Sequence, residues 1–399
     1  MKIDDKTSHN SPSLRFPEFT GEWERCKLGT LATKVGSGST PKGGDAVYTS
    51  IGHYFVRSQN VGMGFLMLDN IAHINDDIHQ KHKATEIYEN DVLLNITGAS
   101  IGRTAVATKE LEGGNVNQHV CIIRTNSKVN PKFLCDYIQT QRIQNHIKSL
   151  QTGGSREGLN FEQIRSFPIS LPSINEQNKL TCLLDKINER IATQVRLIED
   201  LKKLRCAIVE KMFKQSKANG RLGDFIEQVS VRNKNGLYSN VLSVSNKQGF
   251  VKQSEQFEDR TVASEDTSNY KIVKRNNFAY NPARINVGSI ARLTKFDVGI
   301  VSPMYVCFRT KASIIPEYME AFFTSQQFFY EMMKRLEGSV RLCLSYEGLC
   351  NIPVYITDMN KQIAMGQNIS LILSKIGLEI EYLGRLHQQK QYLLRKMFI

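Results

Sequence analysis

The sequence has no run of 18 or more apolar residues, which leaves no segment able to cross a membrane as a helix. Its first residues, MKIDDKTSHNSPS, are polar and lack the apolar core of a secretory signal. There is no CxxC pair. The eight cysteines (26, 121, 135, 182, 206, 307, 343 and 350) follow no regular spacing, which argues against a disulfide framework or a zinc ribbon. These absences lead to the expectation of a reduced protein of the cytoplasm with no membrane partner. The stretch Gly36-Ser37-Gly38-Ser39-Thr40-Pro41-Lys42-Gly43 is rich in glycine, but it lacks the GxxxxGK[ST] order of a nucleotide loop. His73, Asp76, Asp77, His79 and His82 form no compact ligand pattern and read as a solvated polar segment. No paired catalytic carboxylates and no Ser/His/Asp arrangement stand out, so the chain is not expected to be an enzyme.

Charge of one sign is in excess. Lys and Arg number 52 against 39 Asp and Glu, a net charge of +13, which favours a polyanionic partner. The excess is spread out. Residues 21–174 carry 16 basic and 14 acidic groups, and residues 219–359 carry 17 and 14. Residues 175–218 and 360–399 each add +4, so charge alone does not locate a nucleic-acid site.

The chain repeats itself. Lys27-Leu28-Gly29 returns as Arg221-Leu222-Gly223, and Asn95 to Ala105 aligns with Asn281 to Ala291 at an offset of 186 residues. Val120-Cys121 is matched to Val306-Cys307. Pro131 and Phe133 recur as Pro316 and Tyr318 at an offset of 185. Gly154-Ser155 recurs as Gly338-Ser339, Phe161-Glu162 as Tyr346-Glu347, Gln177 as Gln362, and Lys211-Met212-Phe213 as Lys396-Met397-Phe398. Two copies of one unit are implied, each a mixed domain followed by a helix.

The helices carry the clearest local signal. From Leu180 the heptad positions read Leu180, Leu184, Ile187, Ile191, Gln194, Ile198, Leu201, Arg205, Ile208 and Met212. In the second copy they read Met365, Ile369, Ile372, Ile376, Glu379, Leu383, Leu386, Lys390, Leu393 and Met397, with the polar breaks at the same two places. A sustained 3.5-residue period predicts coiled-coil packing, and matched lengths and breaks predict that the two helices pair with each other. The span from Asn175 to Phe213 would reach about 58 Å, a suitable spacer. Within each domain, short apolar runs such as Val92–Ile96 and His119–Ile123 read as strands. Single helical stretches are expected over Phe133–Ile147 and Glu317–Leu336.

The expected fold class is mixed α/β: two similar recognition domains separated by two long helices that pair as an antiparallel coiled coil, with pseudo-two-fold symmetry. The expected divisions are an arm at 1–20, a first domain at 21–174, a spacer helix at 175–218, a second domain at 219–359 and a second spacer helix at 360–399.

Candidate binding residues follow from chemistry. Gly153 and Gly154 permit close backbone approach, Ser155 and Arg156 offer a hydroxyl and a forked cation, and Asn160 with Gln163 has capping-box spacing. Such a loop suits a phosphate. Ser339, Arg341 and Ser345 hold the corresponding places in the second copy. A second loop, Thr97 to Arg103 with Ser100 at its centre, is mirrored by Ala283 to Ser289, which carries Arg284, Asn286 and Ser289. Arginine forks onto guanine and asparagine onto adenine, so differences between the loops would change what is read. Arg57, Gln59 and Asn60 form a third, weaker candidate. Asn281-Pro282-Ala283-Arg284 shares its first two residues with the Asn-Pro-Pro-aromatic motif of amino-methyltransferases. It lacks the second proline and the aromatic, and no glycine-rich S-adenosylmethionine loop accompanies it.

Leu14-Arg15-Phe16-Pro17-Glu18-Phe19, then Gly21-Glu22-Trp23-Glu24 and Lys27-Leu28-Gly29, resembles the opening of type I restriction-modification specificity subunits. The LLNITGASIGR and GGSREGLNF stretches and the Glu176-Gln177 exit into a helix are similar to that family too. In the second half the pattern loosens to Glu337–Leu344, and Lys361-Gln362 replaces Glu-Gln. The resemblance implies that each domain reads half of a split site on double-stranded DNA. It implies that the helices dock two methylation subunits, that restriction subunits then join, and that S-adenosylmethionine, ATP and Mg²⁺ sit on those partners, none on this chain. The competing reading is a coiled-coil scaffold or adaptor without direct DNA contact.

Overall fold

The computed structural model describes residues 10–151, 158–214, 217–246, 248–256, 266–339 and 341–399. It divides into two units, one of residues 1–193 with 383–399 and the other of residues 194–382. Each unit therefore holds one sheet-bearing domain with parts of both long helices, Ile174–Lys214 and Met359–Met397.

In the first unit an antiparallel sheet runs in the order Ala32–Ser37, Val120–Thr125, Val92–Asn95, Thr104–Val106. A three-stranded sheet of Ala72–Ile74, His53–Val56 and Asn115–Val116 covers its other face. Val92 and Leu94 point into a core shared with Phe133, Tyr137, Leu180 and Leu184, while Leu93 points into a second core with Val56 and Val116. Both faces are buried, which is why Val92-Leu93-Leu94 is an unbroken apolar run rather than an alternating one. The second unit repeats the plan. Its first sheet runs Ile226–Gln228, Val306–Thr310, Phe278–Tyr280, Ile290–Arg292, and the second sheet is Gly249–Lys252, Val241–Ser245, Val298–Val301, Lys271–Lys274.

The repeat extends to individual hydrogen bonds. Leu28 N donates to Phe167 O, and Leu222 N to Ile352 O, each at 2.9 Å. Gln177 Oε1 accepts from Asn130 N at 2.8 Å, and Gln362 Oε1 from Ile315 N at 3.0 Å. Each glutamine also donates to two backbone carbonyls, tying the start of a long helix to its domain.

None of the heptad positions is exposed in either helix. In the first unit Leu180 and Leu184 share a core with Leu394 and Met397. In the second, Met212 and Val209 share one with Ile369 and Met365. Within each unit the two helical segments therefore run antiparallel. One pair of polar breaks is matched as well: Gln194 Nε2 donates to the Glu379 carbonyl at 3.1 Å and to its carboxylate.

Two expectations need correction. The helix expected over Phe133–Ile147 is two helices, Pro131–Gln139 and Gln141–Gln151, and the one over Glu317–Leu336 is Pro316–Phe322 followed by Gln326–Met333. The cause is the same in both. The Thr140 hydroxyl donates to Tyr137 O and the Ser325 hydroxyl to Phe322 O, each at 2.7 Å, so a side chain takes a carbonyl near the helix end. Thr140 turns extended, and Ser325 caps the next helix. The match of Val120-Cys121 to Val306-Cys307 is also out by one. Leu94 lies opposite Cys121 and Tyr280 opposite Val306, so Cys121 corresponds to Val306 and Val120 to Tyr305. Core membership agrees, because Val120 and Tyr305 face the second core of their units and Cys121 faces the first. A one-residue shift would put every side chain on the wrong face.

Candidate nucleic-acid interface

In the first unit the loop after Val92–Asn95 is pinned at its base: Asn95 N donates to Arg103 O at 2.8 Å and Gly102 N to Asn95 O at 2.9 Å. Between them Gly98–Ser100 makes a single 3-10 turn. Gly98 and Gly102 sit at φ +69° and +83°, the left-handed region that glycine tolerates best. Thr97 and Ser100 are half-buried and Arg103 is exposed. Thr97 pairs with Gly158, and Leu159 N donates to Ile96 O at 2.8 Å, which brings the segment containing Asn160 against this loop. Asn160 and Gln163 form the capping box that their spacing predicts, at 2.8 and 2.9 Å. Gly154, Ser155 and Arg156, called as phosphate-binding residues, lie outside the described residues.

The third stretch joins the same place, because Asn95 Nδ2 donates to Ser58 O at 2.8 Å. Gln59 is exposed there. Asn60 is buried, and its amide is used on the chain itself: Oδ1 accepts from Arg57 N and Nδ2 donates to Met67 O. The Arg57 guanidinium lies 5.6 Å from the centroid of the Tyr48 ring.

The second unit brings its two candidate loops together in the same way. Asn281 N donates to Ser289 O at 3.0 Å, and Leu344 N donates to Pro282 O at 3.1 Å, the counterpart of the Leu159–Ile96 bond. The buried Tyr280 hydroxyl adds a bond to Leu344 O at 3.2 Å. Burial raises that phenol far above its ordinary range, so it remains a neutral donor. Arg284 is exposed and Asn286 half-buried. Ser289 is buried, its hydroxyl donating to Val244 O at 3.1 Å. Glu337 pairs with Cys343 across a short hairpin whose Gly338 has φ +116°, and Ser339 and Arg341 are exposed on it. Ser345 caps the helix Tyr346–Cys350 by accepting from Gly348 N at 3.0 Å.

Sequence reasoning missed a row of polar side chains beside the first loop. Thr97 Oγ1 meets His119 Nδ1 at 2.5 Å, His119 Nε2 meets the Gln118 amide at 3.1 Å, and the Thr40 hydroxyl donates to Gln118. Nothing in the sequence distinguished His119 from the first residue of a strand, and Thr40 lies in the segment set aside as a failed nucleotide loop.

Cavities of about 510 and 520 Å³ lie where each domain meets a long helix, the second also touching Gly288 of the candidate loop. The first is lined by Asp136, Gln139 and Asp185 among others, and burial pushes the Asp136 carboxyl up to about 7 against the pull of Lys390. Among the described residues no group of three His, Cys, Asp or Glu is placed to share a metal ion. Among the described residues no helix is long and apolar enough to cross a membrane.

Residues 20–203 match the family model of the type I restriction modification DNA specificity domain. Over those residues the chain is similar to a type I specificity domain. One curated relative is the EcoBI specificity subunit of a type I restriction enzyme from Escherichia coli, 24% identical over 135 residues, which are 33% of this chain and 28% of the relative. Another is the putative MjaX specificity subunit of Methanocaldococcus jannaschii, 20% identical over 208 residues, or 51% and 48% of the two chains. The matched length is thus less than half of either curated relative. Among solved structures, the specificity subunit from M. genitalium aligns over 98% of this chain and 99% of its own, with a TM-score of 0.60 and 17% identity. A chain from a study of complex assembly and conformational transition in a type I restriction-modification system aligns over 94% and 97%, with a TM-score of 0.55 and 15% identity. These likenesses show that the fold is that of specificity subunits, with both domains and both long helices included.

Proposed function

We propose that this chain is the sequence-recognition subunit of a type I restriction-modification complex and has no catalytic site of its own. Each unit reads one half of a split site on double-stranded DNA. The observation that carries this reading is the paired backbone bond, Leu159 N to Ile96 O and Leu344 N to Pro282 O, which joins two loops at equivalent places in each unit. Exposed Arg103, Arg284 and Arg341 and half-buried Asn286 stand on those loops, and these are the side chains that fork onto guanine, adenine or phosphate. The long helices set the spacing of the domains and dock two methylation subunits, with restriction subunits joining them. S-adenosylmethionine, ATP and Mg²⁺ belong to those partners.

The test is twofold. Duplex DNA carrying the site methylated in cells that hold this gene should bind with an affinity whose logarithm falls with the logarithm of salt concentration. Loss of the gene should erase that methylated site from the genome. A methylome unchanged by the deletion, with no salt-dependent DNA binding, would leave a coiled-coil adaptor as the better reading.

A further inference from the structure

The corrected register matches His119 to Met304 and, through Asn95 and Asn281, Thr97 to Ala283. The two units therefore differ in kind at one place beside the candidate reading loop. In the first, Thr97, His119 and Gln118 form a hydrogen-bonded polar row. In the second the row is apolar, with Met304 56% exposed, and Val287, in the turn between Arg284 and Ser289, is 52% exposed. The backbone differs too. Ile96 N donates to His119 O at 3.0 Å, whereas Pro282 has no N–H to offer at the matching position. Arg284 and Asn286 belong to the same turn as Val287, and a flexible thioether held out in water gains nothing for the isolated fold.

Resting on the DNA-reading function proposed above, we infer that Met304, together with the candidate-loop residues Ala283 and Val287, makes a specificity-determining surface that contacts the C5-methyl group of a thymine in the half-site read by the second unit. The major groove displays that methyl only on thymine among the unmodified bases, and apolar side chains are its natural partners. The matching surface of the first unit meets a hydrogen-bonding base edge instead.

Thymine and uracil offer the same hydrogen bonds and differ by that methyl, so base replacement isolates the contact. The full chain, with its methylation partners, is titrated with duplexes carrying the mapped site, each thymine replaced in turn by deoxyuridine. In the half assigned to the second unit, one replacement should weaken binding about fourfold, the value of one buried methyl-sized group. Met304→Ala should bind the thymine duplex several-fold less tightly and lose the difference between thymine and uracil. Met304→His, which installs the residue of the first unit, should lose it as well. Unchanged affinity for DNA of unrelated sequence shows that both variants are folded. Site-specific binding that is indifferent to every uracil, or a difference that persists in both variants, overturns the inference while leaving DNA recognition intact. Absence of specific DNA binding by the unaltered chain overturns the function on which the inference rests.

Discussion

Asp136 offers a pH test of how the first domain is joined to the end of the second long helix. Its carboxyl is buried on the helix Pro131–Gln139, with one hydrogen bond of 3.3 Å from Gln139 Nε2. Gln139 in turn accepts from Lys390 at 3.0 Å. Burial is the largest influence on Asp136 and raises it to about 7, Asp185 adds to the rise, and Lys390 and Lys132 oppose it. A group whose pKa is raised in the fold stabilises the fold below its unfolded value, and that contribution is lost as pH climbs through the folded value. The window here runs from about 4 to about 7, and the full difference corresponds to about 4 kcal/mol as an order of magnitude. Asp136→Asn keeps the shape and removes the titration. Denaturant unfolding of both proteins at a series of pH values should give similar midpoints near pH 4, with the variant increasingly the more stable towards pH 8. Lys390→Met removes the leading opposing charge and should shift the loss to higher pH. Parallel stability curves for wild type and Asp136→Asn would refute the assignment.

Three further outcomes follow from the loops and caps. Arg156→Ala and Arg341→Ala should each weaken binding to all DNA sequences alike and reduce the salt slope by about 1, as loss of a phosphate contact requires; affinities unchanged at every salt concentration would remove these arginines from the interface. Replacing residues 21–174 with the corresponding domain of a relative should alter one half of the methylated site only, and a change in both halves, read by methylome sequencing, would show that the domains are not independent readers. Asn160→Ala removes the amide-oxygen acceptor of a capping box and should cost about 1 kcal/mol in denaturant unfolding, so an unaltered midpoint would show that the box contributes nothing.

The helices were legible because a 3.5-residue apolar period needs only residue order to be seen, and the polar interruptions at Gln194 and Glu379 turned out to be partners. The capping box at Asn160 was legible for the same reason, since its spacing is local. Where the reading failed, the deciding force was one hydroxyl or one residue of register. Nothing in the composition of Phe133–Ile147 announces that Thr140 will take the Tyr137 carbonyl and end a helix. The apolar string around Cys121 fits either register, because both of its faces are buried and alternation carries no information there. Ser289 and Asn60 show a different limit. Each has the chemistry of a base reader, yet each is buried with its polar atoms bonded to nearby backbone carbonyls or amides, and only the fold distinguishes such a residue from an exposed one.

The register correction changes what the repeat says about function. Matched by letters, Val120-Cys121 and Val306-Cys307 look like a shared core strand and leave His119 opposite Tyr305, two bulky residues of no obvious contrast. Matched by the ladder, the buried partners are Val120 and Tyr305, and the loop residues that face each other across the repeat become His119 and Met304. The conserved part of the duplication is then most of the backbone frame, the Ile96–His119 bond excepted: the bonds Asn95 N to Arg103 O and Asn281 N to Ser289 O, the same glutamine clasping each long helix and a hydroxyl ending each first helix. What varies is the side chains presented on and around the candidate loops, Thr97, His119 and Gln118 in one unit against Ala283, Met304 and Val287 in the other, beside the Arg284 and Asn286 that the second loop also carries. A chain that repeats most of its scaffold and varies its presented chemistry has the organisation that the proposed reading of two different half-sites calls for, which two identical domains would not provide.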